Sequence, residues 1–173
     1  MEHETCSECG FDGADYDDAA LLAQLRALGA AWRAVLERAG AELRVRPAEG
    51  VWSAIEYAAH SRDITALHAF GVEQALTLDE PRFPAVEPGL ADAAAVSYGA
   101  ADPDDVVAAL GAAAEQLAGH ADDAGRGAWS RGLTLGDERV DVRRLLEHAL
   151  HDSTHHLDDV ERGLAQLRAE PGG

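Results

Sequence analysis

The chain has 173 residues, 47% of them hydrophobic, with a formal net charge of −18 and arginine supplying all 14 of its basic side chains. That length suits one domain with a sizeable core, and the acidity argues against nucleic acid or an anionic membrane surface as partner, since both demand a basic patch. No apolar run approaches the ~18 residues of a membrane span, and the opening Met-Glu-His-Glu-Thr-Cys lacks the basic and apolar regions of a signal peptide, so a cytoplasmic location is expected.

Residues 1–16 are polar and carry Cys6-Ser-Glu-Cys9-Gly-Phe. Two thiols at this spacing, followed by glycine, match half of a zinc knuckle. The same spacing serves thiol redox chemistry, here without the βαβ pattern of thioredoxin-like proteins. A disulfide framework is not expected from two cysteines so close together. A complete metal site needs two more ligands. His3 is the nearest candidate and a side chain of the helical region the other, with Phe11 and Tyr16 pinning the segment down. Alternatively, Cys6 and Cys9 fold as a cap over a site in that region.

A first helix is predicted over 17–43, capped by Asp17 or Asp18, with Leu21, Leu22, Leu25, Leu28, Trp32, Val35, Leu36 and Leu43 as its core stripe. Pro47 and Gly50 break the chain. The second helix starts near Trp52, where Ser53 and Glu56 have the spacing of a capping box. Its inward face reads as Trp52, Ile64, Leu67 and Phe70, with His60 in the middle, Glu56 and Asp63 on the same side, and His68 off-centre. A lone histidine on an apolar stripe is ordinarily a core residue. A second inward constellation on another helix gives the ligand reading of His60 its weight.

Residues 79–102 hold Pro81, Pro84, Pro88 and Gly89 with little periodicity, as a functional loop or a plain crossover would. A third helix runs from Pro103, at its first turn, to about Asp122, with Val106, Val107, Leu110, Ala114 and Leu117 as its stripe and alanines that let neighbours approach closely. A short hairpin is expected around Gly136-Asp137.

The last helix begins near Val140 and carries His148-Ala-Leu-His-Asp-Ser-Thr-His-His-Leu-Asp-Asp. Histidine at this density points to metal, proton transfer or a pH switch. At about 100° per residue, Val142, Leu145, Leu146, Ala149, Leu150, Leu157, Val160, Leu164 and Leu167 form one apolar arc. His156 lies inside it and Asp152, one turn earlier, at its edge; His151 and His155 project from the far side. Both i,i+4 pairs can meet, but only Asp152 and His156 point inward. The bland alternatives are a solvated polar face for His148, His151 and His155, and a core hydrogen-bonded pair for Asp152 and His156. A core-facing carboxylate is costly unless paired or bound to metal. The inward set is therefore His60, Asp152 and His156, with His60, His151 and His155 as the alternative.

The stretch Gly50-Val-Trp-Ser-Ala-Ile-Glu-Tyr-Ala-Ala-His60 resembles the W-S-x-x-E-x-x-x-H that opens the second helix of the DinB/YfiT-like family of metalloenzymes, and His151-Asp-Ser-Thr-His-His156 resembles that family's last-helix motif. The resemblance spans roughly residues 17–168, leaving Cys6 and Cys9 outside. It implies an all-α, up-down-down-up four-helix bundle over 17–170 behind a separate 1–16 segment, and a divalent metal, Zn²⁺ first and Ni²⁺ second, on three side chains. Many members use three histidines. The mycothiol-dependent maleylpyruvate isomerases use an acid four residues before the final histidine, the pattern of Asp152 and His156, although theirs is Glu and they carry a further C-terminal domain. The similarity implies a low-molecular-weight thiol such as mycothiol as co-substrate, transferred to a small electrophile, in a homodimer or monomer. Asp63 or Glu56 would orient His60. Metal-dependent hydrolysis and a non-catalytic metal-binding or stress-response bundle are the alternatives.

Overall fold

The computed structural model describes residues 3–85 and 96–169. Four helices carry the core: α1 (Asp18–Ala39), α2 (Ala54–Thr77), α3 (Pro103–Ala124) and α4 (Val142–Ala169). Each starts at an acid or hydroxyl able to take up amides that lack partners within the helix. Asp17 accepts from the Ala20 amide at 2.8 Å. Ser53 and Glu56 close the capping box. Asp102 accepts from the Asp104 and Asp105 amides just ahead of Pro103, and Asp141 accepts from that of Arg144 at 2.9 Å. α1 ends earlier than the expected 43, because Gly40 turns to φ +51° and residues 40–42 wind on as a 3-10 turn.

α1 and α2 each pack chiefly on α3 and α4, so they face one another across the bundle. The α1–α3 crossing is tight: a Cβ on Gly29 would lie 2.8 Å from the Gly111 Cα. Trp32 is fully buried, and its indole N–H donates to Ser153 Oγ at 2.7 Å. The largest side chain of the core thus leaves no polar atom unpaired and ties α1 to α4.

α2 presents a different face from the expected one. Leu67 and Phe70 are 48% and 47% exposed, and Phe70 packs on Phe83 instead, ring centroids 5.8 Å apart. The buried face carries Ala54, Ala58, Ala59, Ser61, Thr65, Ala69, Val72 and Ala75. Apart from Ile55 and Val72, small side chains line this face and let α3 and α4 close on α2, so Leu67 and Phe70 do not mark its inner side.

The expectation of an all-α chain is corrected by a three-stranded sheet of β1 (Arg82–Phe83), β2 (Gly132–Leu135) and β3 (Glu138–Asp141). β2 and β3 form the expected hairpin around Gly136, whose φ of +59° suits glycine. β1 adds in parallel, receiving the Thr134 amide on the Pro81 carbonyl at 2.8 Å. The predicted loop therefore contains a strand; Pro88 and Gly89 lie outside the described residues. Against the sequence expectation, one stretch, Asp18–Glu42, is long and apolar enough by length and composition to cross a membrane. Its hydropathy comes from the leucines, alanines and valine of α1, of which Leu21 and Leu25 are wholly buried in the core.

Glu56 fastens the start of α2. It accepts from the Ser53 amide (2.8 Å) and hydroxyl (2.6 Å) and from Arg46 Nε (3.0 Å). Burial pushes its pKa up, but Arg46 and Ser53 outweigh that and hold it at about 2, below the ordinary 4.5. A depressed carboxylate contributes stability that is present above the unfolded value and lost as pH falls through the folded one. Arg46 is half exposed, which discounts the effect to about 1–2 kcal/mol. Glu56→Gln should lower stability by that amount at neutral pH in urea titrations. The gap to the parent should close between pH 4.5 and 2; a pH-independent gap would contradict the pairing.

Candidate metal centre

α4 carries its donors as two pairs one residue out of step. His151/His155 and Asp152/His156 each share a face, and the faces are about 100° apart. They meet different partners.

Asp152 Oδ1 lies 3.7 Å from His60 Nε2 of α2 and 3.6 Å from His156 Nε2. One donor atom from each of these three residues lies within 4.8 Å of the others. Asp152 Oδ2 is buried without a hydrogen-bond partner, a costly state that a cation relieves. Burial raises the Asp152 pKa, yet the neighbouring His60 and His156 outweigh it and hold the carboxyl below its ordinary value. His156 Nδ1 donates to Asp159 Oδ2 at 2.9 Å, which keeps Nε2 for the centre, and Arg162 pairs with the same Asp159. Trp52 stands edge-on to His60 at 5.3 Å, and Tyr57 lies over His156 at 4.9 Å. The residues fit a divalent cation with two nitrogen donors and one oxygen.

Neither expected orienter of His60 serves it. Glu56 is spent on the helix cap and Arg46. Asp63 bonds Arg62 and accepts from the Tyr98 hydroxyl at 2.9 Å.

His151 and His155 were expected on a solvated face. They are instead partly buried beneath the N-terminal segment, which folds back through a Thr5–Asp12 bridge. Cys6, Cys9, His151 and His155 also bring one donor atom each within 4.8 Å of the others. The cysteines thus gather on the neighbouring face of α4, and the structure brings His60 together with neither pair of alternative donors. Cys6 is lowered to about 6, first by the amides of Cys9 and Glu8, whereas burial pushes Cys9 up. Both thiols are free. Phe11 stacks on Tyr16 and on His151, at 5.5 and 5.1 Å, pinning the segment as expected. His3 does not join the cysteines but donates to Glu147 Oε1 at 2.8 Å. His148 stays largely exposed, 3.4 Å from Glu4 Oε2, and His68 bonds its own helix at the Ile64 carbonyl.

What holds the segment was missed from sequence. Glu147, with no exposed surface, accepts from Arg143 Nε (2.5 Å), His3 and the Glu4 amide (2.8 Å). Burial pushes its pKa up, and these donors overcome that and bring it below the ordinary value. Arg143 also reaches Asp18 and the carbonyls of Gly13 and Tyr16. The i,i+4 spacing of Arg143 and Glu147 was visible, but on the wheel they fall just outside the apolar arc; the N-terminal segment is what buries them.

The architecture is thus a helical bundle with a two-histidine, one-carboxylate donor set shared by facing helices. A family model described as the DinB superfamily matches residues 24–160, and the chain belongs to that superfamily. Among solved structures it is similar to YfiT from Bacillus subtilis, described as a probable metal-dependent hydrolase with an unusual four-helix bundle topology. The identity is 17%, the alignment covers 97% of this chain and 93% of that one, and the TM-score is 0.78. At that identity the likeness shows the shared fold. No curated protein matches the chain.

Removing Glu147 leaves Arg143 buried with its charge partly unpaired, a loss of roughly 3 kcal/mol. Glu147→Ala should show it in urea denaturation, and in metal-free protein it should speed the reaction of Cys6 and Cys9 with a thiol reagent. Unchanged thiol reactivity would mean the clamp does not hold the segment.

Proposed function

We propose that the chain is a metal-dependent enzyme that holds a divalent cation, Zn²⁺ or Ni²⁺, on His60, Asp152 and His156 and acts on a low-molecular-weight thiol such as mycothiol and a small electrophile, by S-transfer or isomerisation. One observation carries the metal reading: two histidine nitrogens converge on one Asp152 oxygen while the other oxygen stays buried without a donor. Three protein donors leave coordination open to a reactant, as catalytic rather than structural sites do. A cation there supplies Lewis-acid chemistry, favouring the thiolate over the thiol and polarising the electrophile.

The chain's own groups set the rest. Asp159 fixes the His156 tautomer through Nδ1. Trp52 and Tyr57 wall the centre with aromatic surface and limit water there. Burial and then the Asp159 charge push the Tyr57 pKa up, so its phenol keeps its proton and remains a donor beside the centre. The carboxylate four residues before the final histidine favours thiol chemistry, by the resemblance drawn from Asp152 and His156. Hydrolysis is the second reading, favoured by the description of YfiT. We further propose a monomer or homodimer in the up-down-down-up arrangement.

His156→Ala should abolish tight binding of this cation, and His155→Ala should leave it in place, as read by calorimetric titration; the reverse pattern would sink the donor set. Metal-loaded and chelator-stripped protein should then be compared on a panel of thiols with electrophiles and on ester and amide substrates. Metal-dependent thiol consumption is the expected result. Metal-dependent hydrolysis without thiol selects the second reading. Neither activity in fully loaded protein would leave a metal-binding bundle that is not an enzyme.

A further inference from the structure

The second donor set lies outside the matched residues at its cysteine end, since the family match begins at residue 24. We propose that Cys6, Cys9, His151 and His155 bind one Zn²⁺ ion in a closed Cys2His2 site that fastens the N-terminal segment to α4. This site is separate from the His60 centre and does not depend on the reading given to it.

Three observations carry the assignment. First, the donors already stand near coordination spacing. Cys6 Sγ is 3.8 Å from His155 Nδ1, against about 3.5 Å between sulfur and nitrogen ligands of a tetrahedral zinc ion. Second, the His151 tautomer is set for a metal. His151 Nδ1 donates to Glu4 Oε1 at 2.9 Å, which turns Nε2 to the cluster, and that Nε2 is buried with no hydrogen-bond partner. A carboxylate on the far nitrogen is the usual support of a ligating imidazole. His155 is flanked likewise, its Nε2 lying 3.6 Å from Asp159 and 3.8 Å from Glu8. Third, the backbone forms a knuckle. The Cys6 carbonyl accepts the Gly10 amide at 3.0 Å, the Cys6 amide reaches the Phe11 carbonyl at 2.9 Å, and Gly10 sits at φ +76°, where a side chain would be strained.

Two thiolates and two neutral imidazoles fill a tetrahedral shell and cancel the charge of the ion, leaving no position for a reactant; that is a structural zinc site. Binding releases the thiol protons to solvent. Asp159 stands between the centres, near His155 Nε2 and bonded to His156 Nδ1, so fixing one imidazole also steadies the carboxylate that orients the other.

The test is cobalt substitution of the reduced full-length chain, with metal content measured in parallel. The parent should show sulfur-to-cobalt charge transfer in the near ultraviolet and intense tetrahedral d–d bands. Cys6→Ser/Cys9→Ser should lose these bands and one equivalent of metal per chain, and His155→Ala should lose the same equivalent. His60→Ala should keep the bands, which separates failure here from failure of the His60 centre. In the native zinc protein, a mercurial that titrates the two thiols should release one zinc to a chromogenic chelator, whatever the folding of the variants. The proposal is overturned if the loaded parent lacks the sulfur band, if the double replacement changes neither spectrum nor metal content, or if the mercurial releases no zinc. Loss of the band in His60→Ala also overturns it, by placing the cysteines on the other centre.

Discussion

A buried ion pair decides where residues 3–16 lie. Arg143 and Glu147 are buried beside the apolar arc of α4, where neither charge is tolerable alone. Their remaining valences are met almost wholly by the N-terminal segment: the Glu4 amide and His3 on the acid, the Gly13 and Tyr16 carbonyls on the guanidinium. Gly13 is required there, because a Cβ would come within 2.4 Å of the Glu147 carboxylate. Among the described residues of this segment, Phe11 is the only large apolar side chain that is buried, so hydrophobic burial contributes little to holding it. The polar clamp seats it, and with it the Cys6–Cys9 turn above His151 and His155.

The middle of α4 is the reverse of what a stable helix core prefers. Asp152 and His156 replace apolar volume with groups whose desolvation is unfavourable, and the orphaned Asp152 oxygen leaves part of that unfavourable term uncompensated. The surroundings offset it. Leu145, Leu146, Ala149 and Leu150 lie before the donors and Val160 and Leu164 after them, all buried. Destabilising polar groups in a helix flanked by well-packed turns are what a working site looks like in free-energy terms.

Much of this was legible in sequence, and the failures share a cause. Caps were legible because they are local: Asp17, Ser53 with Glu56, and Pro103 act within a few residues of themselves. The stripes of α1 and α3 were legible because leucine and valine there do face the core. α2 was misjudged because Leu67 and Phe70 face outward, Phe70 toward Phe83, while alanine, serine and threonine line most of the contact; size misleads where helices approach closely. The inward turn of Asp152 and His156 could be read from the wheel. The cover over His151 and His155 could not, because it comes from residues more than 140 positions away, and periodicity carries no long-range information.

The rotation of α4 is what keeps the two donor sets apart. His155 and His156 are sequence neighbours, yet one reaches Cys6 and the other lies against Tyr57 and His60. Exchanging the sets, so that His151 and His155 faced α2, would require the helix to turn by about 100°, the angle between one residue and the next. Such a turn would pull Ser153 from the buried Trp32 indole and Leu150 and Leu164 from the core, and would break the Arg143–Glu147 pair from its backbone partners. Each loss alone is of the order of 1–3 kcal/mol, and all fall together because one rigid helix carries them. The hydrophobic arc and the clamp therefore select the donors without touching either centre: a core packed one way presents Asp152 and His156 to His60, and His151 and His155 to the cysteines.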